Sequence, residues 1–205
     1  MSIINWIQMF ENNEINLEIA IDPVSVQNKK CDKKYFKNKM QKQTKSCPYI
    51  IVNTCFIQID YHCHYYKRYK NHGSYDIDNI VKPILDSLNG VNGIIIDDYL
   101  FDRVDINWID TIGADKLSIR IYYPEIFYFN KNELVFYKNN NWCWPFIRKF
   151  NQDLIKEMDI KHYFDIWNKI LDNSDYYKYR DFLPIQRFVP FNKLKDKEYE
   201  FIEIQ

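Results

Sequence analysis

The sequence predicts an α/β (α+β) fold: a small mixed β-sheet flanked by helices, with an additional C-terminal extension. Three observations point there. Segments 15–21 (INLEIAI), 103–109 (RVDINWI) and 116–123 (KLSIRIYY) alternate apolar and polar residues, the two-residue period of half-buried strands. Segment 49–66 (YIIVNTCFIQIDYHCHYY) is a longer β-rich run suited to a central strand. Ile80, Ile84, Leu85 and Leu88 recur at helical spacing.

Along the chain, residues 2–10 read as a short amphipathic helix or arm, and Asp22-Pro23 ends the first strand. The Lys-rich stretch 29–45 offers too few apolar positions, Tyr35, Phe36 and Met40, to separate helix from loop. Residues 67–74 (KRYKNHGS) read as a basic loop. Asn79 is a good helix N-cap, Pro83 is expected in or near the first turn, and Asn89-Gly90 stops the helix. Residues 93–96 (GIII) form a short buried strand or turn. DTIGAD (110–115) reverses the chain, so 116–123 should return as the hairpin partner of 103–109. Domain boundaries follow: 1–124 as the first domain and 125–205 as an extension packed on it. In the extension, two short strands flank an Asn turn at 139–141, and 151–171 has helical spacing.

Composition bounds the function. The chain of 205 residues is 46% hydrophobic and 27% charged, enough to bury a core. Its net charge is zero, but residues 29–45 carry eight lysines against one aspartate. Such a run is usually a solvated face; beside an acidic site it could hold a phosphate backbone. Five cysteines, Cys31, Cys47, Cys55, Cys63 and Cys143, have no regular spacing. The first residues lack the pattern of a signal peptide, and no apolar run has the length of a membrane span. The expectation is a reduced, cytoplasmic protein with free thiols and no membrane partner.

The chemistry concentrates in 75–100 (YDIDNIVKPILDSLNGVNGIIIDDYL). If Asp76 and Asp78 lie in an extended segment, they face one side together. The Asp97–Asp98 pair ends an apolar segment that can return to the same edge. Carboxylates that converge without basic partners repel, and a divalent cation relieves this. Oxygen-only ligands favour Mg²⁺ or Mn²⁺, and Mg²⁺ held by few carboxylates keeps sites for phosphate oxygens. That is an arrangement for phosphodiester hydrolysis. A lone Asp-x-Asp is mostly a turn or cap; the full pattern of Asp-x-Asp-Asn, Lys at four, Leu-Asp, Asn-Gly and Asp-Asp is far more specific.

This motif, DIDNIVKPILDSLNGV followed by DD, resembles the RusA family of Holliday-junction resolvases, and PVSVQNK (23–29) resembles that family's N-terminal signature. The resemblance covers roughly 15–123. It implies a small RusA-like α/β domain acting as a homodimer on branched DNA, with Mg²⁺ (or Mn²⁺) as cofactor. It implies Asp76, Asp78 and Asp98 as metal-binding catalytic acids and Lys82 as the essential lysine. Asn79, Asp86 and Asp97 would support the site. Tyr75 stands where the family often has a basic residue, and 125–205 has no counterpart in its minimal form.

The expected function is therefore Mg²⁺-dependent, structure-selective cleavage of Holliday junctions or related branched DNA. Alternatives are a catalytically silent DNA- or partner-binding protein on the same fold, or a nuclease for flaps, forks or RNA. Candidate DNA contacts are Lys29, Lys30, Lys33, Lys34, Lys37, Lys67 and Arg68. Weaker signals favour plainer roles. His62 and His64 lack CxxC or HxxxH companions for zinc. Trp142, Trp144 and Trp167 suit core packing better than base stacking. Cys143 reads as a buried thiol.

Overall fold

A computed structural model describes residues 6–70, 76–123, 128–148, 157–173 and 188–204. The chain divides into two compact units, 1–128 and 129–205, where the sequence suggested a boundary at 124.

The first unit runs α1 (Trp6–Glu11), β1 (Glu14–Ile19), α2 (Lys30–Thr44), β2 (Tyr49–Ile51), β3 (Cys55–His64), α3 (Tyr65–Lys70) and α4 (Ile77–Leu88). A 3₁₀ turn (Asp98–Leu100), β4 (Phe101–Thr111) and β5 (Lys116–Tyr122) complete it. A four-stranded mixed sheet has the order β1-β5-β3-β4. β3 and β4 are parallel; β5 runs antiparallel to β1 and β3. This is the expected α+β class. One sheet face buries Ile15, Leu17, Ile19, Ile57, Ile59, Leu117, Ile119 and Ile121. The alternate residues make the opposite face polar. There Asp60 accepts from Asn107 at 2.8 Å and Arg120 at 3.0 Å.

Three expectations are corrected here. Segment 49–66 is not one strand. It bends at Asn53 between β2 and β3, and its end turns into α3. α3 spans residues 65–70, so 67–70 are helical where a basic loop was expected over 67–74. β4 and β5 are not hairpin partners, because β3 lies between them. Their link, 112–115, crosses the end of β3, and Asp115 Oδ1 accepts from the His64 N–H at 2.9 Å. Each residue can span about 3.3 Å, so a short link covers two strand spacings of about 4.8 Å each. Tyr75 and residues 71–74 lie outside the described residues.

The Lys-rich stretch is a helix. Phe36, Met40 and Thr44 recur every four residues and are its buried stripe. α2 packs along α4, tied by Gln41 Nε2 to the Asn89 carbonyl (3.3 Å) and Thr44 Oγ1 to the Asn92 carbonyl (2.7 Å). The segment after α4 turns tightly. Gly90 has φ 87°, and the Leu88 carbonyl accepts from both Ile94 and Ile95. Ile94, Ile95 and Ile96 are fully buried.

The second unit contains β7 (Leu134–Asn139), β8 (Trp142–Ile147), α5 (Glu157–Asn173), β9 (Val189–Pro190), α6 (Phe191–Leu194) and β10 (Phe201–Glu203). β6 (Tyr128–Asn130) spans the junction between the units. The four-stranded sheet of the second unit has the order β10-β7-β8-β9, with the expected hairpin turning at Asn140, φ 52°. Trp144 is 3% exposed in the core with Phe146, Phe164 and Phe188, while Trp142 and Trp167 pack against that core. The tryptophans thus have the packing role expected of them. Cys143 is buried, and burial pushes its thiol up to about 12. The five cysteines form no disulfide. Among the described residues, no helix is long and apolar enough to cross a membrane.

A Cβ on Gly93 would meet the Leu88 carbonyl oxygen at 1.9 Å, so Gly93→Ala should cost about 1–3 kcal/mol or more in urea unfolding. Gly113→Ala is the control. Its nearest neighbour would be Thr111 Oγ1 at an ordinary 3.5 Å, so the change should be neutral or stabilise by about 0.4–1 kcal/mol.

Candidate functional site

Helix α4 carries most of the site. Ile80, Ile84 and Leu88 are fully buried, and Asp78, Lys82 and Asp86 lie two positions before them on the outer face. Asp78, Lys82 and Asp86 therefore form one stripe at four-residue spacing, where neighbouring side chains meet.

The helix begins earlier than its sequence signals suggested. Asp76, not Asn79, is the N-cap, and Asp78 already lies in the first turn. The Asn79 N–H donates to the Asp76 carbonyl at 3.0 Å, which pulls residues 77–79 into the helix. Asp76 and Asp78 thus do not share one side of an extended segment. Both are exposed at the positive end of the helix, where carboxylates are favoured.

Pro83 lies inside the helix rather than in its first turn. Its ring nitrogen carries no hydrogen, so the Asn79 carbonyl loses its helical donor. The Val26 N–H supplies the replacement at 2.9 Å. The neighbouring Val26 carbonyl accepts from Lys33 Nζ at 3.1 Å. The 23–29 segment is itself closed by Asn28 Oδ1 accepting from the Ser25 N–H at 2.7 Å.

Lys82 is the centre of the arrangement. Its ammonium donates to Asp86 Oδ1 at 2.6 Å and to Asp98 Oδ2 from the 3₁₀ turn. Burial alone would lower Lys82, but the hydrogen bonds it donates to Asp86 and Asp98, with their negative charge, outweigh this and hold the group above its ordinary value. Lys82 stays cationic at neutral pH and is no proton acceptor. Asp97 is 3% exposed, and its Oδ1 caps the turn by accepting from the Tyr99 N–H at 2.9 Å. That cap orients Asp98. Asn79 lies beside Asp76, its Nδ2 3.5 Å from Asp76 Oδ2.

The carboxylates do have a basic partner: Lys82 bridges Asp86 and Asp98, and its single positive charge offsets one of their two negative charges. Among the described residues, no three Asp, Glu, His or Cys side chains converge closely enough to enclose an ion. The donor chemistry still fits Mg²⁺, which binds through one or two carboxylates and takes its remaining oxygens from water and phosphate. A carboxylate offers about four lone-pair sites, so Asp98 retains acceptor capacity beyond its bond to Lys82.

The candidate DNA-binding residues separate into two groups. Lys29, Lys30, Lys34 and Lys37 are exposed, the last three along one side of α2. Lys33, Lys67 and Arg68 have structural bonds. Lys67 pairs with Asp22 at 2.9 Å and with Asp115; Arg68 pairs with Asp110 at 2.9 Å and covers the Trp108 ring. His62 faces Ser118 Oγ at 3.2 Å, and His64 stacks on Tyr65. The partners come from two distant segments, Asp22 from one and Asp110 and Asp115 from the 110–115 turn, so no local signal could have linked them to Lys67 and Arg68.

No family model matches the chain, and no curated protein matches it either.

Burial pushes the Asp115 carboxyl up, but Lys67, the His64 N–H and the Tyr61 hydroxyl outweigh this and hold it below the usual range. A depressed carboxyl adds stability above its unfolded pKa of about 3.9, and that stability is lost as pH falls through the folded value. Urea unfolding from pH 7 to pH 2 should show this acid-side loss. Asp115→Asn should flatten it and leave the profile above pH 6 parallel to wild type.

Proposed function

We propose that the first unit is a Mg²⁺-dependent endonuclease that hydrolyses phosphodiesters in branched DNA, in the manner of the RusA family that its 76–98 motif resembles. The observation that carries this reading is the convergence of Asp86 and Asp98 on Lys82, in line with Asp78 on one exposed helix face. A cation held among carboxylates, beside a helix of exposed lysines, suits a phosphate bearing negative charge.

In this reading the metal would be held by carboxylates from the set Asp76, Asp78 and Asp98, which do not enclose an ion by themselves, with water and phosphate oxygens completing its coordination. The metal, when bound, would supply Lewis-acid polarisation of the phosphate and a nucleophilic water. Lys82 stabilises charge gathering on the phosphate oxygens. Asp86 fixes the direction of the Lys82 ammonium, and Asp97 fixes the turn that presents Asp98. Lys29, Lys30, Lys34 and Lys37 hold the DNA backbone away from the reacting phosphate. Two chains of 25.2 kDa, paired as a homodimer, would bring two such sites to two strands of a junction.

Purified protein should cut four-way, fork or flap DNA in Mg²⁺ and not in EDTA. Asp78→Asn should abolish cutting while keeping junction binding, because it removes a ligand and a charge that repels phosphate. Lys82→Ala should lower the cleavage rate far more than the affinity; equal losses would make Lys82 a backbone contact. No metal-dependent cutting of any of these substrates would favour the binding-protein alternative.

Replacing Lys30, Lys34 and Lys37 together with Gln should weaken junction binding at low salt. The slope of log affinity against log salt should flatten by up to about 2–3, since each lost phosphate contact removes about 0.9. An unchanged slope in a binding titration would remove α2 from the DNA interface.

A further inference from the structure

The ammonium of Lys82 and a divalent ion draw on the same carboxylate. Lys82 Nζ donates to Asp98 Oδ2, and the Asp98 side chain is only 14% exposed. Lys82 is 53% exposed, so it is the solvent-facing member of that pair. A carboxylate has lone pairs enough for two donors. Charge is the tighter constraint. A divalent ion beside an ammonium doubles the repulsion of two unit charges at the same distance. Partial burial of Asp98 reduces the screening that would soften it.

Asp86 offers the lysine a second seat. Lys82 lies one helical turn from Asp78 and one turn from Asp86, and it is Asp86 Oδ1 that accepts its other bond, at 2.6 Å. The lysine stem is flexible and its ammonium carries three rotatable donors. A torsional change near the end of the stem can therefore break the bond to Asp98 and keep the bond to Asp86. Asp86 lies two turns from Asp78 along α4, so an ammonium kept there leaves the Asp78 end of the stripe clear.

We propose that Lys82 is a built-in competitor for the metal, which yields Asp98 to a divalent ion and stays bonded to Asp86. The proposal rests on the nuclease reading and deepens it, with Asp86 as the positioning residue that makes the exchange possible. Linkage makes the effect reciprocal: the factor by which Lys82 weakens the ion at Asp98 is the factor by which the ion weakens the bond from Lys82. The lysine then keeps one anchor and turns its remaining donors toward a phosphate. Filling the metal site and freeing the lysine become one event.

The test is Mn²⁺ binding to full-length protein without DNA, read from the paramagnetic resonance signal of the free ion. All titrations are run in about 0.5 M KCl, where charges that are not in contact are largely screened. Lys82→Met keeps the length of the stem and removes the charge. It should bind Mn²⁺ about ten-fold more tightly than wild type, within the usual range of coupling between two binding events. Asp86→Asn should bind about ten-fold more weakly, because Lys82 then has Asp98 alone. In the Lys82→Met background the same Asp86→Asn change should alter binding by less than about two-fold, since its partner is gone. In protein carrying isotope-labelled lysine, the signal lost in Lys82→Met identifies Lys82. Mg²⁺ should shift that signal in wild type and leave it in place in Asp98→Asn. Equal or weaker Mn²⁺ binding by Lys82→Met would overturn the proposal. So would an Asp86→Asn loss of the same size in both backgrounds, which would make Asp86 a ligand. Junction cleavage in Mg²⁺ is scored separately. Cutting by wild type with no gain in Lys82→Met sinks the exchange alone, whereas no Mn²⁺ binding by any form and no cutting sinks the nuclease reading and the exchange with it.

Discussion

Burying Ile80, Ile84 and Leu88 decides where Asp78, Lys82 and Asp86 point. Residues two apart on an α-helix differ by about 200° around its axis. Fixing the first set in the core therefore turns the second set outward. The three apolar side chains are fully buried, so the helix has little freedom to rotate. Rotation by one residue would expose a buried isoleucine and press a charge into the core, at a cost of several kcal/mol. The chemistry of the outer face is held in direction by a hydrophobic contact on the opposite face.

That orientation gives Lys82 its place. A surface ion pair at helical spacing, such as Lys82–Asp86, contributes a few tenths of a kcal/mol. Asp98 is different. Its side chain is 14% exposed, and it belongs to a turn sixteen positions away along the chain. The pair therefore joins the helix to the start of β4, and Asp97 fixes the turn from beneath. Such an ammonium is oriented before any anion arrives, which is the condition under which a fixed charge stabilises one that develops later.

What the sequence made legible was periodic or local. The 80/84/88 stripe, the Gly90 stop and the Asn140 turn each rest on a few adjacent residues, and each appears where expected. The first turn of α4 was misread because Asp and Asn are nearly equal as caps. Only the bond from the Asn79 N–H to the Asp76 carbonyl decides between them. The supposed hairpin failed for a non-local reason. β3 is the most buried strand of its sheet and takes the place between β4 and β5, and Asp115 caps its end. Lys67 and Arg68 looked like free basic charge because Asp22, Asp110 and Asp115 lie far away in sequence.

Pro83 joins the two stretches of sequence that carry the family resemblance. A proline in the body of a helix removes one hydrogen bond and would leave the Asn79 carbonyl short of its donor. The loss falls in the turn that carries Asp78 and precedes Lys82, where fraying would move both. Val26 closes it from the 23–29 segment, which is shaped by its own Ser25–Asn28 turn and held to α2 by Lys33. One missing N–H therefore makes a helix that could have stood on its own bonds depend on a loop more than fifty residues earlier. The same loop leads directly into α2 and its exposed lysines. The segment that completes the acidic helix is thus also the one that sets the start of the basic helix, so Val26 ties the two charged surfaces at one end as the Gln41 and Thr44 bonds tie them at the other.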